Sequence, residues 1–129
     1  MSRRAALLLL AAFCPGPAAA AEGGQVFEAR CAGCHAAVPG APPGPGPNLA
    51  GLLGRRVAGD AGFDYSPALL AAREAGQAWN ADLLRRFLQD PEAMFPGLWM
   101  GANGLREAAD RAAVAAFLAG TGAGPARAD

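Results

Sequence analysis

A five-residue run near the start of the chain, Cys31-Ala32-Gly33-Cys34-His35, restricts what this sequence can become more than any other feature. Positions i, i+3 and i+4 of a helix share one face, so a helical conformation would point both thiols and the imidazole the same way. Two thiols at this spacing can add to the two vinyl groups of one haem, and the adjacent imidazole can then reach the iron. The pattern is typical of covalent haem attachment. We therefore predict one haem c on Cys31 and Cys34, with His35 as an iron ligand.

Zinc binding, dithiol redox chemistry and a plain disulfide each account for the cysteine pair less well than haem does. A structural zinc site takes four nitrogen or sulfur ligands, and the chain has only three cysteines and one histidine, with Cys14 in an N-terminal segment that we expect to be removed. A thioredoxin-like dithiol is expected beside a βαβ pattern, and the sequence shows no strand pattern. A plain disulfide is compatible with an oxidising compartment, but it would close a tiny loop and leave His35 unexplained.

The second iron ligand is expected to be a methionine. Methionine opposite histidine gives a six-coordinate iron with a raised reduction potential, as electron carriers have. Beyond the N-terminal segment the chain has only Met94 and Met100. Met100 follows Pro96-Gly97, a pair that favours a rigid turn. We assign Met100 to the iron and Met94 to packing.

The remaining sequence predicts an all-α fold of three to five helices around the covalently bound haem. No segment reads convincingly as a strand. Residues 38–47 hold five prolines and three glycines, which excludes regular structure there. The four predicted helices run from Gly23 to about Cys34, from Pro67 to the stop at Gly76, from Asn80 to the stop at Pro91, and from about Leu105 to Ala119.

The first 21 residues predict a signal peptide. Arg3 and Arg4 form a positive start, residues 5–13 are apolar but far shorter than the ~20 residues that span a bilayer, and Ala18–Ala21 suits a signal peptidase.

We expect one domain at residues 22–120, a disordered tail at 121–129, and a monomeric periplasmic protein without a transmembrane segment after cleavage. All eleven cations are arginines, two of them in the signal, against eleven acidic residues, so no nucleic-acid surface is expected.

Nearly the whole mature chain resembles class I cytochrome c, specifically the mitochondrial type and its monohaem bacterial relatives. Residues that match this family occur in the family's order along the chain, and together they identify it far more specifically than the haem-attachment run alone. The matching residues are Gly23, Phe27, Cys31, Cys34 and His35 in the first helix; Gly46-Pro47-Asn48-Leu49, Gly51-Leu52 and Gly54-Arg55 in the next loop; Gly62-Phe63, Tyr65 and Trp79 farther along; and Asp90-Pro91, Pro96-Gly97, Met100 and Phe117-Leu118 toward the end.

The resemblance implies roles for several residues outside the attachment run. The Pro47 carbonyl is expected to accept a hydrogen bond from the His35 ring, which fixes the tautomer of the ligand. Arg55, Tyr65 and Trp79 are expected to surround a haem propionate, which would otherwise be a costly buried charge.

The chain also departs from the family pattern. Phe87 stands where a tyrosine usually offers a hydroxyl near the methionine sulfur, and Leu98-Trp99 replaces a Thr-Lys pair. Lysines that usually surround the exposed haem edge are absent. Docking is therefore expected to depend weakly on charge and to include apolar contact, with Trp99 as a candidate.

The resemblance implies outer-sphere transfer of single electrons and no enzymatic reaction. Expected partners are a cytochrome bc complex, a terminal oxidase or a periplasmic dehydrogenase. One alternative is a cytochrome subunit or dedicated partner of a periplasmic dehydrogenase. A second alternative is a haem enzyme or gas sensor with an open sixth site, which requires Met100 to be off the iron.

Overall fold

Five α-helices make up the regular structure of residues 16–122, the part of the chain that the computed structural model describes. No β-strand occurs within that range, where the only sheet-like pairing is an isolated antiparallel bridge between Arg56 and Ala78. The predicted all-α fold of three to five helices is confirmed. In chain order the helices are α1 (Pro17–Arg30), α2 (Pro67–Glu74), α3 (Ala81–Gln89), α4 (Pro91–Met94) and α5 (Ala108–Gly120).

Helix α1 begins earlier and ends earlier than the sequence predicted. Pro17 occupies its first turn, where a missing N–H costs no hydrogen bond, so the helix includes residues that we assigned to the signal peptide. At its other end the Phe27 carbonyl accepts from the N–H groups of both Cys31 and Ala32, at 2.8 and 2.9 Å. That sharing ends the helix at Arg30 rather than near Cys34. Residues 1–15 of the predicted signal peptide lie outside the described residues.

The other helix boundaries follow from caps and competing hydrogen bonds. The Asn80 side chain caps α3 by accepting from Leu83 N–H at 2.7 Å, as its residue type favours. Asp90 caps the short helix α4, which the sequence did not predict, by accepting from Ala93 N–H at 3.1 Å. The predicted start of α5 near Leu105 was wrong, because Leu105 N–H donates at 2.7 Å to the Leu88 carbonyl.

Helices α1 and α5 cross in close contact at Gly23. This glycine is buried, and a Cβ built on it would overlap the carbonyl group of Ala113 in α5. One turn farther along α1, the ring of Phe27 packs against that of Phe117 with centroids 5.3 Å apart. The close approach therefore depends on a residue without a side chain.

The chain between α1 and α3 is mostly irregular and is held by specific hydrogen bonds. Asn48 donates to the carbonyls of Val38 and Ala41, at 2.8 and 3.0 Å, and so organises the proline-rich loop. Thr121 is also held: its hydroxyl accepts from Gly51 N–H at 3.0 Å and donates to the Leu118 carbonyl at 2.7 Å. Residues 123–129 of the predicted disordered tail lie outside the described residues.

None of the helices in the described part of the chain combines the length and the apolar character needed to cross a lipid bilayer.

Candidate haem site

All eight residues that the sequence nominated for the site line one cavity of about 590 Å³. This volume falls in the range of sites for small molecules and cofactors. The nominated residues come from several separate segments of the chain and are Cys31, Cys34, His35, Pro47, Arg55, Tyr65, Trp79 and Met100. The fold therefore brings together in one place groups that are up to about 70 positions apart in the sequence.

The attachment run forms a tight turn after α1. The Cys31 carbonyl accepts from Cys34 N–H at 3.0 Å and from His35 N–H at 2.9 Å. These bonds connect Cys31 to Cys34 and His35 as the bonds of a helical turn would, although α1 has ended. The predicted closeness of the two thiols and the imidazole therefore does not require α1 to continue. Neither cysteine is in a disulfide. Burial raises the pKa of the Cys31 thiol, and the Arg30 guanidinium opposes that effect.

The His35 ring is oriented by the loop that follows it. Its Nδ1 lies 2.8 Å from the carbonyl oxygen of Pro47, the contact that the resemblance implied. A Cβ on buried Gly46 would lie 2.5 Å from Cε1 and 2.7 Å from Nδ1 of the same ring. Because the carbonyl can only accept, this contact requires Nδ1 to carry the proton and leaves Nε2 free to bind a metal ion.

Replacing Gly46 with alanine is expected to push the imidazole away from Pro47. The change should displace Nε2, the ring atom left free to bind a metal ion, and lower the free energy of unfolding by about 1–3 kcal/mol, the usual cost of overpacking. Gly44→Ala is the matched control, because a Cβ there would meet only the Cys34 carbonyl at 3.7 Å, an ordinary contact. Absorption spectra and denaturant unfolding of both variants check this; equal behaviour would contradict it.

Arg55, Tyr65 and Trp79 present donors and a packing surface to the cavity. Nη1 of Arg55 donates to the carbonyls of Asn48 and Ala50, at 2.8 and 3.1 Å. Within the described residues, its Nε and Nη2 have no acceptor. The Tyr65 hydroxyl accepts from Asp60 N–H at 3.2 Å, which leaves its own hydrogen free to be donated. Burial raises the pKa of Tyr65, so the phenol keeps that hydrogen at neutral pH.

Trp79 links this group to the apolar core. Its ring packs edge-on against Phe87 with centroids 5.2 Å apart. Its backbone N–H donates to the Arg55 carbonyl at 2.8 Å. Trp79 thus fixes the backbone from which the Arg55 side chain extends.

Ser66 is a site residue that the sequence pattern did not reveal. A serine directly before the first residue of a helix is typical of an N-cap, but the Ser66 side chain makes no capping hydrogen bond to α2. The residue is 1% exposed, lines the cavity, and its Oγ has no hydrogen-bond partner in the described part of the protein. A buried hydroxyl without a partner is costly. Its position indicates that a polar group of the cavity's occupant satisfies it, and no sequence pattern around Ser66 signals this.

The two methionines differ in their relation to the cavity. Met100 lines it, whereas Met94 packs against the hydrophobic core and is not among the lining residues. The apolar side chains that line the cavity with Met100 include Leu69, Leu84, Phe87, Leu88 and Leu98. Within residues 16–122 no three His, Cys, Asp or Glu side chains gather as they would for a structural metal ion.

These features fit a haem. Apolar walls suit the porphyrin, and the unpaired donors of Arg55, Tyr65 and Ser66 suit its propionates. The free thiols of Cys31 and Cys34 suit its vinyl groups, and His35 and Met100 are of the types that bind its iron.

The comparison with known proteins agrees with this geometry. The sequence model of the family described as cytochrome c matches residues 20–122. The chain is similar to the cytochrome c of Ulva intestinalis, with 37% identity over 102 residues that cover 79% of this chain and 89% of that protein. It is also similar to the cytochrome c of Guizotia abyssinica, with 37% identity over 109 residues covering 84% and 96%.

A bacterial relative matches to the same degree. The chain is 39% identical over 98 residues to the cytochrome c2 of Rhodomicrobium vannielii, which covers 76% of this chain and 75% of that protein. The family match spans the segments that build the cavity, from α1 to the end of α5. The chain therefore belongs to the cytochrome c family, as a class I member with an all-α fold and a single covalently attached haem c.

Proposed function

We propose that this protein is a periplasmic single-electron carrier whose haem is attached to Cys31 and Cys34 and whose iron is bound by His35 and Met100. Family membership supports electron transfer in general. The observation that carries the finer proposal is that Met100, and not Met94, lines the same cavity as the attachment run. Bound haem supplies the one-electron couple of its iron.

The protein's own groups hold the ligands in place. Pro47 accepts the Nδ1 hydrogen of His35 at 2.8 Å, and this second contact makes the ring a stronger and better-oriented ligand. Gly46 leaves no free space beside the ring. Leu98 and Phe87 line the same cavity as Met100 and contribute apolar surface to it. A sulfur ligand in dry surroundings favours a high reduction potential.

Three donors are proposed to hold the haem propionates. Arg55 supplies a charge and the unused N–H groups of Nε and Nη2, while Tyr65 and Ser66 supply hydroxyl hydrogens. Hydrogen bonds to an ionised acceptor contribute about 1.5–3 kcal/mol each. They would offset the cost of burying carboxylates beside a hydrophobic core.

Export to the periplasm is proposed from the N-terminal pattern. The positive start at Arg3 and Arg4, the short apolar run and the small residues Ala18–Ala21 support it, and a relative is a bacterial cytochrome c2. The proposed donors and acceptors are membrane-bound respiratory complexes, such as a cytochrome bc complex and a terminal oxidase.

Absorption spectra of the purified protein test the proposal. We expect a c-type α-band in the reduced form and a weak far-red methionine–iron band in the oxidised form, both insensitive to carbon monoxide. Haem bands that shift at once with carbon monoxide would instead support the open-site enzyme or sensor. A colourless protein from a host that attaches haem would contradict the attachment itself.

Replacing Ser66 with alanine tests the propionate contact. If a propionate accepts from the hydroxyl, Ser66→Ala should lower the free energy of unfolding of the haem-loaded protein by about 1.5–3 kcal/mol. Ser66→Thr keeps the hydroxyl and is the control. If instead the hydroxyl has no partner in the loaded protein, removing it will be neutral or stabilising, and denaturant unfolding of the two variants distinguishes these results.

A further inference from the structure

Two large hydrophobic side chains are strongly exposed on the described surface, and only one of them lies at the haem site. Trp99 is 66% exposed and Val38 is 64% exposed. Trp99 lines the cavity and directly precedes Met100, whereas Val38 is not a lining residue. An exposed tryptophan leaves a large apolar area in water. At the opening of a redox site, such a side chain indicates a contact with another molecule.

Five arginines of the described chain form ion pairs or side-chain hydrogen bonds. Arg73 pairs with Glu74, and both Arg85 and Arg86 pair with Asp82. Arg55 and Arg111 donate to backbone carbonyls.

Arg30, Arg56 and Arg106 have neither an ion pair nor a side-chain hydrogen bond within residues 16–122, and all three are exposed. Arg30 and Arg56 line the same cavity as Trp99, where Asp64 is the only acidic residue. The residues that line the cavity therefore carry more positive than negative charge, although residues 16–122 as a whole contain more Asp and Glu than Arg.

We propose that Trp99 is the anchor of the redox-partner interface: its indole enters an apolar pocket on an electron-transfer protein, and carboxylates beside that pocket face Arg30 and Arg56. This inference rests on the proposed carrier function and names the chemistry of its partner. Transient electron-transfer interfaces are small, so one tryptophan fills a large share of the contact. Tryptophan is also among the residues that most often dominate binding at interfaces.

The proposal separates two contributions to partner recognition. Arg30 and Arg56 act over a distance and are screened by salt. The indole acts only in contact, through burial of apolar surface, which salt screening does not weaken. Association through Trp99 should therefore persist at ionic strengths that remove the charge contribution.

The test uses the haem-loaded protein as exported and respiratory membranes of the organism that encodes it, with quinol as the electron donor. Trp99→Ala should raise the KM for the carrier at least about tenfold with kcat changed by less than about twofold, because a docking contact is lost and the chemistry is not. Trp99→Phe should recover most of the affinity. The increase in KM should remain at high salt. Val38→Ala, the matched exposed hydrophobic, should leave KM within about twofold.

The outcomes are distinguishable. Unchanged KM in Trp99→Ala, or an equal change in Val38→Ala, overturns the interface while leaving the carrier function standing. An altered far-red band or midpoint potential in Trp99→Ala also overturns it, since the residue would then act through Met100. Membranes that do not reduce the wild-type protein contradict the proposed exchange of electrons with membrane-bound respiratory complexes, and the interface with it.

Discussion

Replacing Met100 with alanine is expected to abolish the far-red band of the oxidised protein and to make the reduced protein bind carbon monoxide at once. Both follow from the loss of the proposed second iron ligand. The reduction potential should fall by on the order of 100 mV or more, because axial ligands set haem potentials over a range of about 0.8 V. Spectra and a redox titration measure these effects.

Met94→Ala is the control for this experiment. Met94 packs against the core and does not line the cavity, so its truncation should cost about 2–5 kcal/mol of stability at most and leave the far-red band in place. If Met100→Ala retained the band and Met94→Ala lost it, the ligand assignment would be reversed. Retention of the band in both variants would exclude methionine as the source.

The second large effect is expected at the helix crossing. Gly23→Ala should lower the free energy of unfolding by about 2–3 kcal/mol net. Its Cβ would overlap the Ala113 carbonyl, a backbone group, so the overpacking cost should exceed its usual range of about 1–3 kcal/mol and outweigh the gain in helix propensity of about 1 kcal/mol. At about 4–8 °C for each kcal/mol, the melting temperature should fall by roughly 10–20 °C.

Gly24→Ala provides a matched control on the same helix. Its Cβ would meet only the Phe117 ring, at 3.4 Å, an ordinary contact with a side chain that can adjust. Its effect should stay within about 1 kcal/mol, the size of the propensity gain. Thermal unfolding followed by far-UV circular dichroism measures both variants. Equal melting temperatures would mean that α1 and α5 do not cross at Gly23.

Local chemistry explains why much of the site could be predicted. Haem attachment needs two thiols and an imidazole within five consecutive residues, so the run at Cys31 is complete in the sequence itself. Helix caps are similarly local, and Asn80 capped α3 where its residue type indicated. Helix ends that depend on distant partners were predicted less well. The start of α5 shifted because Leu105 pairs with the end of α3.

The roles of Ser66 and Trp99 show what sequence patterns do not contain. A serine before a proline reads as a helix cap, and only the packing around it shows a buried hydroxyl without a partner. The sequence raised Trp99 as a candidate contact, but its 66% exposure beside the cavity follows from how its loop is folded. The sequence alone does not show which arginines are paired. In the structure Arg85 and Arg86 form ion pairs with Asp82, whereas Arg30 and Arg56 form none within residues 16–122.

By itself the sequence indicated the haem chemistry, the helical class and a preference for Met100 over Met94, because these depend on residue types and short spacings. The tertiary structure then placed Met100, and not Met94, in the cavity wall and Pro47 beside His35, and it alone showed that the buried hydroxyl of Ser66 lies at the site. Those facts depend on contacts between segments far apart in the chain, which arise when the helices pack and bury their apolar surface.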